Sequence, residues 1–538
     1  MDIRTSKALE KTKFDIVIIG GGAHGSTAAY HLAKSGFKTA IIEQGDFCGG
    51  TSANSLKIIH GGLRYLQHGN VKRMRHSIRS RREMMQIAPH LTAPLACMMP
   101  TQGSGIQGKA AMRTALFLND CISWDRNREL QQSQCLPRGH VVSKEKCLQV
   151  IPGMNASTVT GAAVWYDTIA LDTERLLLEY VLESIEHGAV AANYCKAIHL
   201  ERGDAGEYCL TVKDQLTGET CEVHTKGVVN AAGPWFERMT QSISQRPPKQ
   251  KWALALNIVT KKQLFQNYAV ALEGITEYKD KDALLKRGKR LYFFVPWREH
   301  TMIGTEYQLC AQSPEAVKIR RPLLEKMVDG VNSIYPEARL AYEDISFYHA
   351  GLMPAQDDST EESIQLEKNS SYRHHADHGY ENIVSILGVK YTTAPYIAWR
   401  LVEFFQAKVG KSTTESISGK TTIEKNNRPT HFEHLVKRYG RRASLVQTYI
   451  DSWDDNEVLT EENHGVLRGE VHYLVEQEMV RKLSDVVFRR TGIGTAEYPG
   501  RPLLYDIAEC LAEPLEWGED RIREEVEEVV DRYRPLII

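Results

Sequence analysis

Gly20, Gly22 and Gly25 stand at G-x-G-x-x-G spacing, and Glu43 follows 18 residues after the last of them. In such a run the first glycine permits a tight turn and the second lets the backbone approach a pyrophosphate. The third lets the next helix pack close to the strand. The amides that open that helix, with the positive end of its dipole, favour a bound phosphate. The flanks fit this chemistry. Phe14-Asp15-Ile16-Val17-Ile18-Ile19 reads as a buried strand, Ser26 to Ser35 as a helix and Lys38 to Glu43 as a second strand. Glu43 therefore ends the second strand of a βαβ unit, where a carboxylate can accept the ribose hydroxyls of a dinucleotide. The motif is common to FAD and NAD sites and does not separate them.

The elements around this unit come from periodicity. Asn70 to Met85 reads as an arginine-rich helix, and Leu176 to His187 as an amphipathic helix leading into a strand at Ala189 to Ala192. Tyr208 to Val223 alternates like a hairpin, and Val228 to Pro234 reads as a strand ending in a glycine turn. From Lys251 to Gln308 the pattern is mostly β, including Leu291 to Val295 and Thr301 to Ile303. Asn382 to Leu387 reads as a strand that meets Gly388 and then a helix from Ala394 to Lys408. Gly410 to Pro429 is polar and reads as a linker. Beyond it, Val471, Leu474, Val475, Met479, Leu483 and Val486 fall at helix spacing, as do Ile522, Val526 and Val530.

At 538 residues the chain is too long for one hydrophobic core, so two or three domains are expected. A formal net charge of -1 provides no general attraction to nucleic acid or anionic lipid. The ten cysteines show no Cys-x-x-Cys pair and no zinc-type spacing, so no metal site is expected and a reducing cytoplasm fits. Met1 to Lys13 lacks the apolar core of a signal peptide, and no run reaches the roughly 18 apolar residues of a spanning helix. A peripheral contact with the inner face of a membrane and a homo-oligomer both stay open.

Two long stretches resemble the FAD-dependent glycerol-3-phosphate dehydrogenases. They are Glu43-Gln44-Gly45-Asp46-Phe47-Cys48-Gly49-Gly50-Thr51-Ser52 and Leu56-Lys57-Ile58-Ile59-His60-Gly61-Gly62-Leu63-Arg64-Tyr65-Leu66. Asn230 to Trp235, Phe294-Val295-Pro296-Trp297 with Ile303-Gly304-Thr305, Ala350-Gly351-Leu352, Gly388 to Thr393 and the tail Gly469 to Gly494 are similar in the same order. The resemblance implies FAD and a fold shared with the D-amino-acid oxidase group. It places Gly20, Gly22, Ala23, His24, Gly25, Glu43, Gln44, Thr51, Ser52, Lys57, Gly61 and Gly62 on the cofactor. Ala232, Gly233, Gly388, Lys390, Tyr391 and Thr392 belong to the same set. Arg64, Tyr65, Arg373 and Lys390 match the family's substrate-anion cluster, where a guanidinium can fork onto a phosphate. His60 and His349 are candidate proton acceptors, with Lys390 beside them among the groups of the reaction, and solvent is a further acceptor.

Three positions depart from the family pattern. Met353 stands where the family has an arginine, Asn257 where it has a histidine, and Ala394-Pro395 where it has Tyr-Arg. Met353 and Asn257 therefore join the expected substrate contacts. The expected architecture is α/β: a Rossmann-type FAD-binding domain with an interleaved mixed β-sheet substrate domain, plus an all-α C-terminal domain. The flavin parts are set at about 14–100, 155–250 and 380–409, and the substrate parts at about 100–155 and 250–380. The linker is 410–429 and the helical domain 430–538. The expected activity is hydride transfer from the secondary alcohol of a small anionic substrate, with glycerol 3-phosphate the first choice. Quinone or oxygen would accept the electrons. The alternatives are a different anionic alcohol or amine, and a flavin-bound scaffold or sensor without turnover.

Overall fold

The apolar run Phe14–Ile19 forms a central strand, buried along nearly its whole length. It pairs in parallel with Thr39–Ile42 on one side and with the long strand Thr220–Asn230 on the other. A strand flanked on both sides and covered on both faces needs continuous Val/Ile rather than alternation, which is what this run supplies. The computed structural model describes residues 6–105, 108–203, 206–243, 249–277, 289–361, 363–410, 432–452 and 465–537. The expected linker 410–429 and residues 430 and 431 lie almost wholly outside them.

The chain divides into two units. Unit 1 comprises Met1–Ala53, Asp172–Gln250 and Glu367–Arg534. Its eight-stranded sheet runs Ser371–His375, Tyr380–Leu387, Thr220–Asn230, Phe14–Ile19, Thr39–Ile42, Val190–Ala192, with Cys195–Arg202 and Tyr208–Asp214 added as an antiparallel flap. The expected hairpin and the strand at Val228 are one feature: the second hairpin strand runs on unbroken from Thr220 to Asn230. The helix after the glycine loop begins at Ala23, earlier than its apolar period suggests, and ends at Lys34, with Gly36 at φ 85° closing the turn. Buried Ala23, Gly25, Ala28, Ala29 and Ala33 keep its sheet-facing side slim.

The C-terminal helices belong to unit 1 and are joined to it by buried charged and polar contacts. The Arg175 guanidinium donates to Glu478, and Tyr194 Oη donates to Asp485 Oδ1 at 2.6 Å. The helical spacing read through Val486 is interrupted. Arg468–Glu478 ends at Met479, whose φ is 59°, and a separate helical turn spans Asp485–Arg490. Asp485 Oδ2 accepts the Arg481 and Lys482 amides at 2.9 and 3.0 Å, which holds the connection leading into that turn.

Unit 2 comprises Asn54–Leu171, Lys251–Leu366 and Pro535–Ile538. The expected change of unit near residue 100 thus falls at Ala53/Asn54. The reason is pairing: Thr92–Gln102 and Val159–Ala170 form a long ladder inside the unit 2 sheet. That nine-stranded sheet runs Ile345–Ala355, Lys251–Thr260, His300–Cys310, Lys289–Trp297, Ala269–Glu277, Thr92–Gln102, Val159–Ala170, Ile58–Ile59, with His140–Val142 on the side. One face carries Leu254, Leu256, Ile258, Val270, Phe294 and Ile303, packed under Leu324, Met327, Val328 and Val331 of the helix Arg321–Ile334. Each such side chain contributes about 1.5–3 kcal/mol by burial. The other face is free of that helix and bears the polar residues described below.

Candidate active site

In unit 1 the glycine loop is shaped by contacts that a side chain would destroy. A Cβ on Gly20 would meet Ala231 O at 2.6 Å, and one on Gly25 would meet Gly20 O at 1.8 Å. The helix N-cap is Gly22, extended and with no side chain of its own to cap the first turn, which leaves room for an anion at the helix N-terminus. Ala23 N donates to Ser52 Oγ at 2.9 Å, which fixes the Thr51-Ser52 stretch against the loop.

Glu43 sits where the βαβ reading requires. Its Oε2 accepts the Gly21 amide at 2.7 Å and its Oε1 accepts the Gly45 amide at 2.9 Å. Each oxygen keeps a lone pair, enough for two ribose hydroxyls. Burial raises the carboxyl above its ordinary pKa, and the two amides pull the other way. The residues after Glu43 are pinned as well. Asp46 Oδ2 and Oδ1 accept Arg490 Nη1 and Nη2 at 2.7 and 2.9 Å, and Arg489 Nε donates to Oδ2 at 2.6 Å. Burial alone would raise the Asp46 carboxyl, but the two guanidinium charges outweigh it and hold the group far below the usual range.

His24 and Gly388 mark the far side of the cradle. A Cβ on Gly388 would lie 2.5 Å from the His24 ring. His24 Nε2 is buried and has no hydrogen-bond partner among the described residues. Burial lowers the His24 pKa to about 4, so the ring is neutral at pH 7 and can donate or accept. An orphaned buried imidazole, a glycine floor and a carboxylate with spare lone pairs fit an ADP-type group. Ala232 and Gly233 form the turn after Asn230, and Asn230 Nδ2 reaches Ser385 Oγ at 3.2 Å. Lys390 caps the short turn Tyr391–Thr393 with an extended backbone. Arg373 lies exposed on the edge strand opposite Ser385, and Gln44 is half-buried between Glu43 and Gly45.

Unit 2 holds the remaining candidates. His349 stands directly opposite Asn257, and Met353 opposite Ala253, so all three point to one face of the sheet. Asn257 is buried and its Oδ1 accepts Thr305 Oγ1 at 2.7 Å. A Cβ at Gly304, its neighbour on the other strand, would come within 2.1 Å of that oxygen. His349 is buried, with Phe347 and Trp297 ring centroids at 5.1 and 6.1 Å. Lys57 is buried too, its Nζ 5.1 Å from the centre of the Trp297 ring.

The His60-Gly61-Gly62 stretch is anchored by a residue that spacing did not single out. Asp167 Oδ1 accepts the Gly61 amide at 2.6 Å and Arg81 Nη1 at 2.8 Å, and Oδ2 accepts Trp165 Nε1 at 3.0 Å. Its only signal in the sequence is a lone acid closing the apolar run Ala162 to Trp165. Gly62 has φ 87° and leads into the short turn Leu63–His68. Arg64 on that turn is exposed, whereas the Tyr65 ring is buried with Met74 and Ile78, with the Arg73 guanidinium 4.1 Å above it. The His60 ring meets Tyr65 edge-on at 6.1 Å.

Residues 15–403 match the family model described as FAD dependent oxidoreductase, and residues 406–522 match the C-terminal domain of alpha-glycerophosphate oxidase. A glycerol-3-phosphate dehydrogenase of Synechocystis sp. is 25% identical over 98% of this chain and 97% of its own. Glycerol-3-phosphate dehydrogenase 2 of Mycobacterium bovis is 27% identical over 99% and 90%. Among solved structures, the glycerol-3-phosphate dehydrogenase from Bacillus halodurans complexed with FAD superposes with a TM-score of 0.72 at 21% identity, covering 100% of this chain and 99% of its own. That likeness establishes the fold. With the family model spanning the glycine loop, Glu43 and the Gly388 loop, the chain belongs to the FAD-dependent oxidoreductases, and its cofactor is FAD.

Proposed function

We propose that the enzyme oxidises glycerol 3-phosphate at its secondary alcohol to dihydroxyacetone phosphate. The observation that carries this reading is the length of the correspondence. Relatives named glycerol-3-phosphate dehydrogenase align over almost the entire chain, and the C-terminal stretch matches a domain named for alpha-glycerophosphate oxidase. Bound FAD supplies the hydride acceptor at N5. The protein's part is binding, orientation and proton handling. Glu43 and the glycine-loop amides hold the ADP half. Arg64 and Lys390 are assigned to the substrate phosphate, with Arg373 and the Tyr65 turn supporting them. His349 and His60 are the imidazoles assigned to the alcohol proton, and Asn257 orients the polar face beside His349. Anaerobic stopped-flow reduction with a panel of phosphorylated and carboxylated alcohols tests this. The enzyme should bleach fastest with glycerol 3-phosphate, and failure to bleach with any member supports a scaffold without turnover.

A second reading rests on Met353. It shares a sheet face with His349 and Asn257, where the family resemblance puts arginine, so this wall offers a flexible thioether instead of a fixed cation. A larger anionic alcohol or amine with an apolar portion then reduces the flavin faster than glycerol 3-phosphate.

No helix among the described residues is long and apolar enough to cross a membrane. A cytoplasmic enzyme with a peripheral membrane contact is supported by Phe117, Leu118 and Trp124, which are 65%, 46% and 76% exposed on and just after the helix Lys109–Ile122. Co-sedimentation with vesicles, and turnover with quinone against oxygen, distinguish the settings.

A further inference from the structure

Three ligand-type side chains outside the flavin and substrate residues meet on one hairpin of unit 1. Cys209 lies in Tyr208–Asp214, and Glu222 and His224 lie in Thr220–Asn230. Cys209 pairs directly with His224 across the antiparallel ladder. Glu222 is two residues before His224 and so points to the same face. Each residue offers one ligand atom, and the three atoms lie within 4.8 Å of one another. Glu222 and His224 are exposed and Cys209 is half-buried, so a cation from solvent can reach them.

The neighbouring strand adds a second observation. Glu201 stands opposite Cys209 on its other side, and His199 stands opposite Thr211. His199 Nε2 lies 3.0 Å from Glu201 Oε1. Across three strands the patch therefore reads Glu201, Cys209, His224 in one row and His199, Thr211, Glu222 in the next. Every position but Thr211 carries metal-ligand chemistry, and the two carboxylates make the patch attractive to a cation. Sequence spacing hides the arrangement, because the contacts are made across strands and not along a Cys-x-x-Cys run.

We propose that Cys209, Glu222 and His224 hold one divalent cation of the zinc class. A thiolate with an imidazole selects a borderline-soft metal over Mg2+ or Ca2+. Three protein ligands and a water complete a tetrahedron. On binding, the Cys209 thiol gives its proton to solvent and the metal takes its place, with no change of oxidation state. The bound ion cross-links the two hairpin strands, the second of which runs on to Asn230 and the Ala232-Gly233 turn of the flavin site.

The test uses the full flavin-loaded chain, washed with chelator and dialysed against micromolar Zn2+ in excess Mg2+. Metal analysis should find one zinc per chain. Cys209→Ser and His224→Ala should each weaken it by more than the roughly 10- to 100-fold typical of losing an outer-shell partner. The exposed thiol elsewhere, Cys121, gives the control: Cys121→Ser should leave zinc unchanged. Absence of stoichiometric zinc overturns the proposal, as does stoichiometric zinc that neither ligand variant reduces. If the variants lose flavin through misfolding, alkylation of the wild-type chain decides. Zn2+ must protect Cys209 from iodoacetamide, and equal labelling with and without Zn2+ refutes the site.

Discussion

Replacing Arg490 by methionine should loosen the flavin without touching it. Arg490 is 1% exposed and Asp46 is 6% exposed, and the pair is bidentate, at 2.7 and 2.9 Å. Breaking a buried pair by removing one partner costs about 3–5 kcal/mol, because the other charge is left uncompensated. Here Arg489 Nε and Asn193 Nδ2 stay on Asp46, at 2.6 and 2.9 Å, so the lower end is expected, about 3 kcal/mol. The loss should reach the cofactor through the loop. Gly45, next to Asp46, donates to Glu43, and Cys48 N donates to Gly21 O at 3.0 Å. Freed at Asp46, this loop no longer holds the Glu43 carboxylate against the glycine turn. The two guanidinium neighbours outweigh the opposing effect of burial and depress the Asp46 pKa, so its stabilisation is complete above the unfolded value near 4 and is lost only as pH falls below it. At pH 7 the whole effect is therefore readable. Urea unfolding of unit 1, followed by flavin release, should shift by about 3 kcal/mol, and FAD should dissociate more readily below the transition. Asp46→Asn combined with Arg490→Met should be milder than the sum of the two, with a coupling of about 0.5–3 kcal/mol. A single variant within about 0.5 kcal/mol of wild type, with unchanged FAD affinity, would refute the reasoning.

Glu43→Ala removes the ribose acceptor and should weaken FAD about 10- to 150-fold, the equivalent of roughly 1.5–3 kcal/mol for charge-assisted bonds, read by fluorescence titration of the apoprotein. Arg64→Ala should lower kcat/KM by a similar factor of about 10 to 150 while flavin content stays constant; equal efficiency removes Arg64 from the substrate. His375 is buried with Nε2 2.8 Å from Ser385 Oγ, and burial, with the nearby His378, lowers its pKa to about 4. The unfolded chain takes that proton first, so stability should fall by about 1.4 kcal/mol per unit as pH drops from 6.5 towards 4. His375→Gln should flatten the slope in this window, and an unchanged slope excludes His375 as its source. Met353→Arg should shift preference towards glycerol 3-phosphate in the flavin-reduction panel; a preference that stays put counts against the thioether as a selector.

The parts of the fold written in short range were legible. A strand, three spaced glycines and an acid closing the next strand lie within Phe14 to Glu43, and each owes its role to backbone geometry that neighbours alone impose. The helix Val71–Ile87 announces itself through Asn70, whose Oδ1 accepts the Arg73 amide at 3.0 Å. The units were less legible, because a boundary depends on which strands pair. Thr92–Gln102 looks the same in sequence whether it joins one sheet or the other, and only its ladder with Val159–Ala170 settles it. Asp46 lies in the stretch Glu43–Ser52 that carries the family resemblance, but nothing near it in sequence reveals that its partner is Arg490, 444 residues away.

Register explains why the polar face of unit 2 was visible residue by residue and invisible as a surface. Asn257, His349 and Met353 share a face only because Ile345–Ala355 pairs with Lys251–Thr260 without a slip between Lys251 and Val259. A one-residue slip of Lys251–Thr260 would turn Asn257 towards the helix Arg321–Ile334 and bring Leu254, Leu256 and Ile258 out in its place. The apolar set under that helix therefore selects the orientation of the polar set, although the two never touch. On its other edge, Lys251–Thr260 meets His300–Cys310 through an irregularity between Leu256 and Asn257. Such a bulge re-aims one side chain locally and leaves the rest of the strand in place. Gly304 supplies the room, since a Cβ there would overlap the Asn257 carboxamide. Asn257, where the resemblance leads one to expect a histidine, is thus held by three separate constraints: the core beneath it, the bulge beside it and the glycine facing it. A substitution at Asn257 alone changes the group offered on that face, whereas one at Gly304 changes where that group points.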